Sequence, residues 1–529
     1  MNYFLLSLLV PLTVVGTAAV GTVDNNNNQV GRRVGTTSGF VAGHPAPNAS
    51  QVSEYLGIPY AKPPVGQLRF APPVAYVNPS GRVDGSNFSP DCPANTLPIS
   101  SVDLTGFPEN ARNIFLMLDQ VGHNQSEDCL SLNVWTKSKP GQKKPVLLWL
   151  YGGSYQVGTS HASVSSGQHL ADKEDVVVVS INYRLNIFGF PGLPGHPQNV
   201  GLQDQRLAVE WVRDNIAAFG GDPGRITLVG QSAGASSADF YSYAYTSDPI
   251  VSGFILQSGT ATAFGITQHD NLAAWWTTST NLGCGAQGAV ALAASLSCVR
   301  GKPFTDVLAA AGLAPANANF LGAFAPTIDE TLVFSDYGAR SLAGNFIQAP
   351  VLVGNADYEA GFLGLVAPAY YASLSPADRT AYNLVYFECP TAKAAFVRAL
   401  HGVPTWRYRW FGQYPNTYLF PGSGAWHESE IGFVFGTMEE MTKMANVPVE
   451  NEVQQYMMSA WAGFAHKPKT ALAELGWPKY NATKQTLIRL GSGNETAASF
   501  AFPSTFDNAC ISAGQSTGLS LRGDEDEFL

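Results

Sequence analysis

The sequence predicts an α/β fold built on a large, mostly parallel central sheet with helices on both faces. Three observations carry that expectation. First, short apolar, β-branched runs recur at residues 144–151, 176–183, 226–229, 254–259 and 350–355 without polar alternation. Strands buried on both faces read this way. Second, residues 204–219 place Leu207, Val209, Trp211, Val212 and Ile216 at helical spacing and stop at Gly220-Gly221-Asp222-Pro223. Helices between buried strands are crossovers of a parallel sheet. Third, one apolar run drives straight into Gly230-Gln231-Ser232-Ala233-Gly234, followed by the small residues Ala235, Ser236, Ser237 and Ala238. That is strand, tight turn, helix, with a serine hydroxyl raised at the bend.

Composition sets the frame for these elements. The chain has 529 residues, 45% of them apolar and only 13% charged, which suits a large buried core. Neither a linker nor a repeat breaks residues 34–510, so they are expected to form a single domain. A net charge of −10 without a basic stripe argues against a nucleic-acid partner. Residues 1–16 resemble the apolar core of a signal peptide, and Thr17-Ala18-Ala19 offers a small-residue cleavage site. Residues 1–19 are therefore read as a signal peptide, 20–33 as a flexible segment and 511–529 as a disordered acidic tail. Six cysteines and five glycosylation sequons, at Asn48, Asn87, Asn124, Asn481 and Asn494, fit secretion into an oxidising compartment. The cysteine spacing suggests the pairs Cys92–Cys129, Cys284–Cys298 and Cys389–Cys510. No Cys/His cluster has metal-ligand spacing and no Gly-rich phosphate loop is present, so neither a metal nor a cofactor is expected.

In chain order, residues 34–41 and 52–56 suggest an opening hairpin. Tyr55-Leu-Gly-Ile-Pro-Tyr-Ala-Lys-Pro-Pro-Val-Gly-Gln-Leu-Arg-Phe70 carries three prolines and two glycines, which favours a fixed, packed loop. Residues 110–121 crowd their apolar side chains onto a short helix. Residues 127–135, Glu-Asp-Cys-Leu-Ser-Leu-Asn-Val-Trp, read as a strand. A late strand is expected at 408–411, before the Gly-rich stretch 424–436. The opening loop, the Glu127–Trp135 segment, the serine turn and the stretch from Trp426 to Gly436 together resemble the type-B carboxylesterases, the family of cholinesterases and certain fungal lipases. The resemblance covers residues from about 34 to about 507. It implies an α/β-hydrolase fold and a secreted serine esterase. In the family's lipases the disulfide-bounded loop equivalent to residues 92–129 is a flap. The resemblance therefore implies contact with a lipid interface there; plain packing of the loop on the core is the simpler alternative.

The serine pattern alone is weak, because Gly514-Gln515-Ser516-Thr517-Gly518 repeats it in the tail with no strand before it. A serine nucleophile also needs a base, an acid that orients the base, and oxyanion donors. In this fold the chain order is serine, acid, histidine. Only His401, His427 and His466 follow a plausible acid, and the match of residues 426–436 to the family's histidine loop selects His427. The acid expected is Glu359, with Asp357 as its rival and Asp329 and Glu330 behind. The family commonly has Asp-Glu-Gly there, whereas this chain has Asp357-Tyr358-Glu359-Ala360-Gly361. The oxyanion donors expected are the amides of Gly153, Ser154 and Ala233, Ser154 standing where the family usually has a third glycine. The expected function is hydrolysis of small-molecule or lipid carboxylic esters through an acyl-enzyme. Cholinesterase-like members carry Glu before the serine; Gln231 here weakens the case for a cationic choline substrate. The rival reading is a catalytically silent adhesion or binding protein on the same fold, but such relatives lose the serine that this chain keeps.

Overall fold

Side chains alternate between two apolar clusters along each central strand, and that alternation fixes the architecture. The description rests on a computed structural model covering residues 29–96, 104–118, 120, 122–137, 142–263, 271–312 and 323–517. The expected signal peptide, most of the segment 20–33 and the tail beyond residue 517 lie outside these residues.

The strands are β1 (Val34–Thr36), β2 (Gly39–Ala42), β3 (His44–Ala46), β4 (Ala49–Pro59), β5 (Arg82–Asp84), β6 (Ser131–Thr136) and β7 (Lys144–Leu150). They continue with β8 (Val177–Ile181), β9 (Gly221–Gln231), β10 (Gly253–Gln257), β11 (Val351–Ala356), β12 (Thr405–Trp410), β13 (Leu487–Leu490) and β14 (Ser499–Ala501). Eleven form one sheet in the order β14-β13-β12-β11-β10-β9-β7-β8-β6-β4-β3. The run from β13 to β8 is parallel throughout, and the pairs at both ends are antiparallel. Along β7, Val146, Leu148 and Leu150 pack on one face, with Ala208, Val209 and Val212 of the helix Val200–Asn215. Leu147 and Trp149 pack on the other, with Val453, Met457, Met458 and Trp461 of the helix Pro448–His466. A strand with apolar neighbours on both sides has no need of polar residues, which is why β7 and β8 are buried at every position.

Several local expectations are corrected. The opening hairpin is β1 with β2, and these join β5 in a separate small sheet. Residues 52–56 belong instead to β4, which pairs with β6. Residues 55–59 are therefore strand, not loop. The register shifts between Tyr55 and Ile58, where Gly57 has φ 62° and donates its N–H to Asn133 Oδ1. This bulge lets a Gly/Pro-containing run stay in the sheet. The strand expected over 127–135 starts only at Ser131, because Glu127 is turned to a buried pair with Arg69. The helix expected over 204–219 is α-helical at Val200–Asn215 and tightens to a 3-10 turn at Ile216–Phe219.

Residues 511–517, placed above in a disordered tail, extend a helix over Ser504–Thr517. Its first half is pinned: Asp507 accepts two hydrogen bonds from the buried Arg407 guanidinium, and Cys510 is bonded to Cys389. Residues 514–517 of the repeated serine pattern thus fall at the end of a helix, without the strand that an elbow requires. The other disulfides join Cys92 to Cys129 and Cys284 to Cys298. The helix Glu109–Leu118, inside the first of these loops, buries Ala111, Ile114 and Phe115 against the cluster of Trp149.

The Cys389–Cys510 bond closes a sequence separation of 121 residues. Replacing both cysteines by serine is expected to lower unfolding stability by roughly 2–5 kcal/mol, through loss of that constraint on the unfolded chain. Calorimetric unfolding of the purified variant against the parent checks this.

Candidate active site

β9 ends at Gln231, and the helix Ala233–Ala244 starts one residue later. Ser232 spans that gap with φ 54° and ψ −123°, a conformation that L residues rarely adopt. The sheet holds it there. Its N–H donates to Gln257 O of β10 at 2.8 Å, and its carbonyl accepts from Ser236 N at 2.9 Å. The flanking glycines are required by close approach. A Cβ on Gly230 would stand 2.3 Å from the Gly234 carbonyl carbon, and one on Gly234 would stand 2.1 Å from Leu150 O. A Cβ on Gly259, after β10, would meet Ser232 O at 2.2 Å. Strand and helix can cross at this angle only if these positions carry no side chain.

The loop after β7 lies directly on this turn. A Cβ on Gly152 would be 3.0 Å from Ser232 Cβ. Gly153, Ser154 and Tyr155 follow with φ of 99°, 56° and 61°, and Gln156 N and Val157 N close the loop on Gly153 O. Such a run of left-handed residues curls successive backbone N–H groups toward one side, a geometry suited to anions. Ala233 occupies the first helical position, so its N–H has no acceptor within the helix and stands at the positive end of the helix dipole.

Glu359 opens the 3-10 turn Glu359–Phe362 just beyond β11 and is 1% exposed. Its Oε1 accepts from Ser258 Oγ at 2.8 Å and from Ala356 N at 2.7 Å. Its Oε2 lies 2.5 Å from His427 Nδ1. A carboxylate at that distance accepts a hydrogen bond from Nδ1–H, which keeps the proton on Nδ1 and leaves Nε2 as the basic nitrogen. Burial pushes the His427 pKa down, but the charge and hydrogen bond of Glu359 outweigh it, so the imidazole stands above its ordinary value. Gln231, the neighbour of Ser232, brings its Nε2 to 3.1 Å from His427 Nε2. The basic nitrogen is thereby placed at the elbow, 196 residues away in the chain. The two loops interlock at Gly361, where a Cβ would meet Ser423 O at 1.9 Å.

The rival residues have other partners. Asp357 pairs with Arg409 at 2.8 Å. Asp329 Oδ1 accepts the amides of Thr331, Leu332 and Val333, and Glu330 accepts that of Ser335. His401 Nε2 meets Ser341 O, and His466 Nε2 meets Glu174 O. Among the sequons, Asn48, Asn87, Asn124 and Asn481 are exposed. Asn494 is half-buried, and its Nδ2 donates to Gln413 O at 2.7 Å.

Sequence reasoning missed Glu430 and the part played by Gln257. Burial, with the Glu359 charge next, pushes the Glu430 pKa up to about 7, and the carboxyl accepts from Gln257 Nε2 at 3.2 Å. Gln257 Oε1 in turn accepts from Trp461 Nε1. The only signal for Glu430 was its place in the histidine loop, which does not tell a buried carboxyl from a solvated one.

The carboxylesterase family model matches residues 27–384 and 374–505 of this chain. Secreted lipase 5 of Gibberella zeae is 32% identical over 514 residues, covering 91% of this chain and 94% of the lipase. Chlorogenic acid esterase of Aspergillus niger is 33% identical over 480 residues, covering 87% of each chain. Acetylcholinesterase of Bungarus fasciatus is 29% identical over 517 residues, covering 87% of this chain and 83% of that one.

Gly234→Ala drives a methyl into the Leu150 carbonyl and is expected to abolish folding or lower Tm sharply. Gly463→Ala, where a Cβ finds nothing nearer than 3.7 Å, is expected to unfold at or slightly above the parent temperature. Thermal unfolding of the two variants side by side decides whether close packing sets the elbow.

Proposed function

Because this chain belongs to the carboxylesterase family, we propose that its Ser232, His427 and Glu359 are the nucleophile, base and orienting acid of its reaction. The chain is a carboxylic ester hydrolase.

His427 Nε2 takes the proton of Ser232 Oγ as that oxygen attacks the ester carbonyl. Glu359 holds the Nδ1 proton and stabilises the imidazolium that forms. The tetrahedral oxyanion takes the amides of Gly153, Ser154 and Ala233. Each such donor is worth about 10²–10³ in kcat. The intermediate collapses, and His427 protonates the leaving alkoxide. Water, deprotonated by the same nitrogen, then releases the acid from the acyl-enzyme. The single observation that supports this most is the 2.5 Å contact of Glu359 with His427, whose other nitrogen faces the elbow.

Gln231 is uncharged, so nothing beside the serine on β9 draws a cationic alcohol. Neutral esters are the substrate class this favours. The helix Glu109–Leu118 is tied down by Asn110, whose Nδ2 donates to Asn416 O and Tyr418 O at 2.8 and 2.7 Å. That supports a fixed wall rather than a flap opened by lipid. Hydrolysis is then expected to follow a smooth saturation curve through the solubility limit of the ester; a jump in rate at emulsion formation would reverse this reading. Three disulfides and an apolar N-terminus support secretion.

Ser232→Ala should lose fluorophosphonate labelling and nearly all turnover of p-nitrophenyl butyrate; full labelling of that variant would refute the assignment. Glu359→Gln should lower kcat by roughly 10³–10⁴. The base works only when neutral, so activity falls as pH drops through the His427 pKa. Removing the carboxylate that raises this pKa should move the acid limb of kcat/KM to lower pH. Gln231→Ala should act oppositely. Losing a donor to the neutral nitrogen favours imidazolium and moves the limb up by roughly 0.5–1 pH unit.

A further inference from the structure

Asp91, His123 and His161 are far apart in sequence and match no spaced metal motif. Folding brings them together beside the Cys92–Cys129 bond. Asp91 immediately precedes Cys92, His123 lies shortly before Cys129, and His161 continues the loop that carries Gly153 and Ser154. Asp91 is completely buried. Its Oδ2 faces His123 Nδ1 at 2.8 Å, and its Oδ1 meets His161 Nε2. One ligand atom from each residue lies within 4.8 Å of the other two. The two imidazoles are stacked, with ring centres 5.1 Å apart and planes 9° from parallel, and Phe88 stacks on His161 at 4.8 Å. These contacts hold the rings in place before any ligand arrives.

His161 Nε2 pairs with Asp91 Oδ1, which also accepts from Thr159 Oγ1 at 2.5 Å, so each carboxylate oxygen of the buried Asp91 is turned to an imidazole. Two imidazole nitrogens turned to one buried carboxylate put three ligand atoms in one place, and a metal ion can replace the ring protons that link them. We propose that Asp91, His123 and His161 form a binding site for a divalent transition metal of the zinc type. Two imidazoles and one carboxylate are a donor set that Zn²⁺ takes, with water completing the tetrahedron. Ca²⁺ and Mg²⁺ prefer shells of oxygen and are poorly matched. The His123 side chain is 33% exposed, which gives the ion and its water a way in.

The site sits outside the serine elbow, and its consequence is mechanical. Gln120 already links the same pieces, accepting from Gly158 N at 2.9 Å and donating to Cys92 O at 3.3 Å. A bound ion would add a second tie between the root of the 92–129 segment and the loop carrying the oxyanion amides. By binding the folded chain alone it would raise stability with concentration.

The test uses the full chain, stripped with EDTA and dialysed. Zn²⁺ is titrated by calorimetry, and thermal unfolding is followed with and without it. Wild type should bind one ion at this site and unfold at higher temperature with Zn²⁺, but not with Ca²⁺ or Mg²⁺. Co²⁺ should give the visible absorption bands of a four-coordinate site. His123→Ala, at a partly exposed position that should tolerate truncation, and His161→Gln should each lose the binding and the shift. No Zn²⁺ heat or shift in wild type, equal binding in both variants, or an equal shift with Ca²⁺ would each overturn the proposal.

Discussion

One steric constraint underlies the rest of the molecule: β9 and the helix behind it cross so closely that Gly230 and Gly234 must lack side chains. The crossing forces Ser232 into a left-handed backbone conformation between them. A residue held there carries strain of order 1–3 kcal/mol, and it persists only because its surroundings fix it. Here those surroundings are β10, through Gln257 O, and the chain passing at Gly259. The parallel sheet therefore does more than bury apolar surface. Its C-terminal edge is where β7, β9, β11 and β12 release the loops that carry Gly153 and Ser154, Ser232, Glu359 and His427.

The second level is electrostatic, and it is built from buried groups that are partnered. Glu359 accepts three hydrogen bonds, from Ser258, Ala356 and His427. Each fixes a different element against the acid turn. Behind them Gln257 bridges Trp461 and Glu430. Burial keeps Glu430 from ionising as readily as an ordinary carboxyl. Asp357, the alternative acid, serves this arrangement from outside. Its pair with Arg409 joins the end of β11 to β12, and Arg409 also reaches Glu388. Arg407, two residues away on the same face of β12, joins Glu388 to Asp507 of the last helix. Removing one partner from such a buried set costs about 3–5 kcal/mol, so these charges are held by the same folding that hides them.

The periphery shows how covalent and polar ties share the work. The helix Glu109–Leu118 has an apolar face in the core and a polar anchor at Asn110. The Cys92–Cys129 bond closes its loop at the root, beside the Asp91, His123 and His161 cluster. The loop after β7 passes through the same place, where Gly158 N donates to Gln120 and Thr159 Oγ1 donates to Asp91.

Much of this was legible in the residues alone. Buried parallel strands announce themselves because apolar packing on both faces removes polar alternation, as in Lys144–Leu150. The elbow is legible because a steric rule dictates its glycines within five positions. The order of Ser232, Glu359 and His427 in the chain follows the order of β9, β11 and β12, whose loops carry them. Boundaries were less legible: a Gly57 bulge kept residues 55–59 in the sheet, and a disulfide with an ion pair kept the chain helical past Cys510. Tertiary structure alone decided which carboxylate faces His427, because Asp357 and Glu359 are two residues apart and local sequence does not say which way each turns. It alone brought Gln231 to His427 and Asp91 to two distant histidines. Contacts of that kind depend on angles accumulated over the whole fold, and no short stretch of residues encodes them.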